Sequence, residues 1–247
     1  MIDLRMEKNN RGFSLVELIV AVSIATIVSA AIGALMVTSI RTYSNQNVLT
    51  GIQKEIQTTL NQVVDSAESA CWFYLDNDYD GGTDPVKTNC VAFGRIVQDE
   101  SDSEWYFVGE IFAAGDEDPE TNRFNIYMNR YALGGSLQLS GANKAERVAS
   151  AVSLLAAEKS TILGDGDNRK YLIGEDATAF LVKINNGNID STTKSYVNPL
   201  SFDIGIKYQK TGFGARNLER EIHDQAMLRN SLNYNIVIGS DTYELKE

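Results

Sequence analysis

The sequence predicts an α+β protein: a long N-terminal helix, membrane-spanning in its first half and amphipathic in its second, packed on an antiparallel β-sheet. Three observations carry this prediction. Residues 18–37 form an apolar run with no charge and no proline. Beyond Arg41 the apolar residues recur at spacings of three and four, which is the signature of one buried helical stripe. From Val91 onward the apolar period shortens towards two, the period of a half-buried strand.

The apolar run is longer than the h-region of a cleaved secretory signal, about 7–15 residues. At 1.5 Å per residue it crosses roughly 30 Å of hydrocarbon. Arg5, Lys8 and Arg11 precede it, so the positive-inside rule leaves residues 1–12 in the cytoplasm and the bulk of the chain outside. One carboxylate, Glu17, sits at the edge of this run, where burial in lipid marks an ionisable group as functional. The stripe of Val48, Ile52, Ile56, Leu60, Val63 or Val64, and Ala67 continues the helix to about Ala70, with Gly33 and Gly51 as the points where it would bend.

Strands are expected over residues 91–97, 104–112, 124–133, 179–184, 200–208 and 232–238. Segment 201–208 alternates cleanly and should bury one face. A second helix is expected over 142–159, with Val148, Ala151, Val152, Leu155 and Ala156 on one side. Residues 215–225 read as helical or irregular.

The chain has 33 acidic against 22 basic residues and a formal charge of −11. An acidic body repels phosphate backbones, and no basic patch offsets it, so nucleic acid is disfavoured as a partner. Cys71 and Cys90 are the only cysteines. Outside the cytoplasm a pair reads as a disulfide rather than as two free thiols. Such a bridge would close a loop of roughly 20 residues and contribute on the order of 3 kcal/mol.

Between the cysteines, Asp76, Asp78 and Asp80 alternate ahead of Gly81, with Asp84 beyond. Carboxylates at every second residue before a glycine are how a calcium loop gathers oxygens; a solvated acidic turn uses the same residue types, and both readings stand. Lys87 occupies the position where an EF-hand loop has its bidentate glutamate, so the loop is no complete EF-hand. The single histidine, His223, lies beside Asp224 but has no nucleophile elbow, cysteine partner or second histidine. Residues 116–120 read as an acidic turn, and Trp72-Phe73-Tyr74 as the anchor of the helix end in the core. No enzyme emerges and no cofactor is required; calcium is the one candidate ligand.

The stretch Arg11-Gly12-Phe13-Ser14-Leu15-Val16-Glu17-Leu18 resembles the class III signal of type IV prepilins and the related pseudopilins. The resemblance is strong over residues 1–40. It implies a type IV pilin-like fold with three parts: a leader (1–12), a transmembrane and polymerisation helix (13–40) and a globular head (41–247) that includes the amphipathic half of the helix. It implies that a prepilin peptidase cuts after Gly12 and methylates Phe13. It also implies that Glu17 pairs with the Phe13 amine of a neighbouring subunit, fixing axial register.

The small residues Ala21, Ala25, Ser29, Ala30 and Ala34 would let neighbouring helices approach. The partners implied are other pilin subunits, the peptidase, the inner-membrane assembly machinery and the membrane itself. The chain would reside as a single-pass protein of the cytoplasmic membrane, head outside, and then in an extracellular pilus. Many principal pilins carry a mid-helix proline where this chain has none, and the body is large for a shaft subunit. Both departures point to a minor pilin, priming a pilus or standing at its tip. The alternatives are a tip-located adhesin and a pseudopilin of a type II secretion or competence system.

Overall fold

A computed structural model describes residues 14–79, 85–135, 137–164, 170–185, 189–197, 199–228, 236–238 and 241–245. The chain divides into two compact units, Met1–Asn47 and Val48–Glu247. Helix α1 (Leu15–Ser69) runs without interruption through both glycines. Its last turns bury Ile52, Ile56, Leu60, Val63 and Ala67 of the stripe expected from the sequence, with Thr59 beside them.

The second unit is a curled, mainly antiparallel sheet. In chain order the described strands are β1 (Trp72–Tyr79), β2 (Pro85–Gln98), β3 (Trp105–Ala114), β4 (Phe124–Tyr131), β5 (Gln138–Leu139), β6 (Tyr171–Ile184), β7 (Ile189–Asp190), β8 (Ser195–Tyr196), β9 (Ser201–Thr211), β10 (Asn217–Met227), β11 (Ile236–Ile238) and β12 (Asp241–Leu245). They lie in the order β10-β9-β6-β4-β3-β2-β1-β11-β12-β8-β7, with β5 on β3. Two pairings are parallel, β1 with β11 and β12 with β8.

Helix α2 (Lys144–Leu163) starts on Asn143, whose side-chain oxygen accepts from the Glu146 N–H at 2.9 Å, while Glu146 reaches back to the Ala142 N–H at 2.8 Å. This reciprocal cap fixes the helix start. The two helices serve different cores. Ile52, Ile56, Leu60 and Val63 join Phe73, Phe93, Phe180 and Phe202 in one cluster. Val148, Ala151 and Leu155 join Trp72, Cys90, Phe107 and Ile111 in the other. Strands covered on both faces lose their alternation. Trp72 to Leu75, Cys90 to Phe93 and Ile111 to Ala114 are accordingly buried at every position.

The curl has a local cause. β6 pairs with β4 only as far as Phe124↔Ala177, with register shifts on the way, and a further shift separates Ala177 from Ala179 against β9. Such bulges bend a strand and increase its twist. Beyond the bend, β6 has β9 on one side and side chains on the other. Thr88 of β2 accepts the Val182 N–H at 2.7 Å, and Asn77 of β1 donates to the Val182 carbonyl at 3.2 Å. Phe202 completes the closure, edge-on to Phe73 and Phe93 at centroid distances of 4.9 and 5.3 Å.

Two segments differ from the sequence expectation. Of residues 215–225, read as helical or irregular, those from 217 onward belong to strand β10, in a hairpin with β9. Residues 72–79, read as an anchor and the start of an acidic loop, are strand β1, which carries Asp76, Asn77 and Asp78 inside the sheet.

Candidate functional site

The first unit is dominated by exposed apolar surface on α1. Leu15, Ile27 and Leu35 are 74%, 70% and 69% exposed, and no residue of the most apolar 18-residue window is buried by the rest of the chain. The mean hydropathy of that window is 2.5, enough by length and composition to cross a membrane. Several of its hydroxyls bond back within the helix: Ser23 donates to the Ile19 carbonyl at 2.8 Å and Thr38 to Ala34 at 2.9 Å. Those hydroxyls can therefore meet lipid without being orphaned.

Glu17 lies in the first turn of α1. The Ser14 N–H donates to its Oε2 at 3.0 Å, and its own N–H donates to Ser14 Oγ at 3.2 Å. This is a capping box, in which two orphan amides of a helix start are satisfied reciprocally. The carboxylate also stands at the positive end of the helix dipole. Both effects hold it folded back along its own chain towards the start of α1. The signal in the sequence was Ser-x-x-Glu ahead of an apolar run, Ser14 to Glu17, and its capping role was missed there. Gly12 and Phe13 lie outside the described residues.

Among the described residues, the head residues singled out from the sequence do not converge. Cys71 and Cys90 are both free thiols, so the expected disulfide is not formed. The reason is register. Cys90 stands opposite Asp76, whereas the Cys71 N–H donates to the Gly94 carbonyl, five positions along β1. At about 3.3 Å per residue that is a separation of roughly 16 Å, far beyond disulfide reach. Cys90 is fully buried; burial first, then the negative charge of Asp76, push its thiol up to about 12, against a smaller opposing effect of Lys159. Burial, with the Asp76 charge second, likewise raises the Tyr74 phenol to about 12.

Asp76 does not head a free loop. It sits in β1 with its Oδ2 3.3 Å from Lys159 Nζ on α2, so an ammonium already faces that carboxylate. Asp78 belongs to the same strand, and Asp80 and Asp84 lie outside the described residues. Among the described residues no group of three His, Cys, Asp or Glu side chains converges. His223 is exposed on β10, with Nε2 2.9 Å from Glu221. A cavity of about 580 Å³ opens beside the last turns of α1, lined by Gln62, Ser66, Gly94, Glu110 and Arg130 among others. Its Glu110 already accepts from Ser66 and from Arg130, whose Nε lies at 2.7 Å.

Comparison with known proteins bears on the N-terminus. Residues 8–33 match the family model described as the prokaryotic N-terminal methylation motif. That span covers the end of the basic leader, Gly12, Phe13, Glu17 and most of the apolar run. No curated protein and no solved structure matches the chain.

Proposed function

From a chain that carries the class III prepilin signal of type IV pilins and pseudopilins, we propose a minor pilin that is cut after Gly12, methylated on Phe13 and inserted into a pilus. In this reading it primes the filament or stands near its tip. The observation that carries the proposal is the exposed apolar helix with Glu17 at its start. A helical run that carries no charge from residue 18 to 37 and shields none of its apolar surface within its own unit must meet lipid or other helices. The capping box adds a mechanism. Glu17 is held beside the Ser14 amide, one residue from the amine that cleavage before Phe13 would create, so the carboxylate is poised at the height where an incoming amine would arrive. Exchange of the Ser14 N–H for a neighbour's ammonium would replace a hydrogen bond from a neutral donor to the carboxylate with an ion pair between two full charges.

The test is incorporation. Glu17→Ala should still enter the membrane, because it removes a charge from an apolar helix, and should be absent from sheared filaments. Incorporation at the wild-type level would overturn the register role of Glu17.

A further inference from the structure

Strand β10 closes one end of the sheet, and among the described residues β9 is its single strand neighbour. The ladder between them is unbroken from Asn217↔Thr211 to Met227↔Ser201. Both ends fix its hydrogen-bond parity. The Gly212 N–H donates to the Arg216 carbonyl at 2.7 Å, and the Leu228 N–H donates to Leu200 at 2.9 Å. Hydrogen-bonded and non-bonded pairs alternate in an antiparallel ladder. The even-numbered residues of β10 therefore bond β9, and residues 217, 219, 221, 223, 225 and 227 turn their N–H and C=O groups to the open edge.

Exposed polar side chains line this edge, four of them charged: Glu219, Arg220, Glu221 and Asp224, with His223 among them. Charge on an edge strand ordinarily deters pairing. Here its order is self-complementary.

We propose that β10 pairs with β10 of a second copy of this chain, antiparallel about Ile222, so that the two sheets become one. In that register all eleven residues find a counterpart. Arg220 opposes Asp224 twice, Glu221 opposes His223 twice, and Leu218 opposes Ala226 on the core side. The edge-facing residues meet one another, 221 with 223, 219 with 225 and 217 with 227, as the ladder requires. A shift of two residues either way sets Glu221 or His223 against itself and leaves Arg220 opposite Ile222 or Ala226. Opposite charges on facing strands attract and like charges repel, so one register is favoured over its neighbours.

The contact is isologous, with its two-fold axis normal to the sheet. Helix residues 48–69 lie along the sheet by their buried stripe, so in the pair they run in opposite directions. Subunits of one head-to-tail filament share a direction. The contact therefore joins copies from filaments or surfaces of opposite polarity, a point that rests on the assembly reading above; the pairing itself does not.

The experiment is sedimentation equilibrium of the full chain in density-matched detergent, comparing wild type, R220D, D224R, the double variant R220D/D224R and an equimolar mixture of the two single variants. All the altered side chains are exposed. Wild type should dimerise. Each single variant should dissociate about tenfold more readily, two pairs contributing roughly threefold each. The double variant and the mixture should both recover wild-type association, because each restores Asp opposite Arg. A monomer throughout, a dimer indifferent to the substitutions (as one held by the apolar half of α1 would be) or the absence of recovery would overturn the proposal. The assembly reading stands or falls separately, on filament incorporation of Glu17→Ala.

Discussion

Replacing Thr88 by valine removes one hydroxyl and almost no volume, and it should cost the head more than any surface substitution. Thr88 is fully buried. Its Oγ1 accepts the Val182 N–H at 2.7 Å, on the side of β6 that has left β4. Valine keeps the methyl and offers no acceptor, so that amide loses its partner in the interior. An orphaned buried donor costs about 1–3 kcal/mol. For a head of this size that is a fall in Tm of roughly 4–8 °C at the middle of the range. Serine is the control: it keeps the oxygen and loses one buried methyl, about 1 kcal/mol. Urea unfolding of the full chain in nonionic detergent, followed through the emission of fully buried Trp72, reads both. Amide exchange at Val182 should accelerate in the valine variant alone. A valine variant as stable as wild type, or more stable than the serine variant, would refute the claim that a side chain seals this strand edge.

Two further outcomes are expected of the head. A β-carbon added at Gly174 would overlap the Tyr208 hydroxyl, which sits 3.1 Å from Thr59 Oγ1 in a fully buried site. Gly174→Ala should therefore destabilise by about 1–3 kcal/mol, and Tyr208→Phe in the same chain should recover part of it; an unchanged urea midpoint for Gly174→Ala would remove the close approach. The thiols should also differ: at about pH 8 iodoacetamide should label half-exposed Cys71 in the native chain and reach Cys90 only on unfolding. The folded values of Cys90, Tyr74 and Tyr196 are raised to about 12 from ordinary values of 9.0, 10.0 and 10.0. Their contribution is whole below the ordinary values and lost as pH rises through about 12, so the urea midpoint should hold to about pH 9 and then fall. A midpoint unchanged up to pH 12 would contradict the burial of these groups.

How far the sequence could be read depends on what each signal encodes. Helix α1 was legible because its pattern changes once, from apolar all round to a single stripe, and the stripe from Ile52 to Ala67 is the one buried. β10 was not. Its core-facing residues Leu218, Ile222 and Ala226 are four apart, a spacing that fits one helical face and one strand face equally, and the charges between them settle nothing. β1 was hidden by residue type, since Asp76-Asn77-Asp78 has turn composition. Pairing with β2, the Asp76–Lys159 ion pair and the Asn77 bond to Val182 override it.

The disulfide expectation rested on compartment and count, which carry no register; the ladder that keeps Cys71 and Cys90 apart is a long-range property. The same holds for Thr88, whose partner lies 94 residues away. By contrast, Ser14 and Glu17 are three residues apart, and their capping box is fully local.

The central claim is that the chain is processed at the Gly12–Phe13 bond and carried into a filament by α1. Mass spectrometry of the N-terminal peptide, from protein recovered in sheared filaments of cells with an intact prepilin peptidase, tests it directly. The expected peptide begins at Phe13 and carries one methyl group on its amine. A chain that keeps residues 1–12 in those cells, or is processed elsewhere, would contradict it.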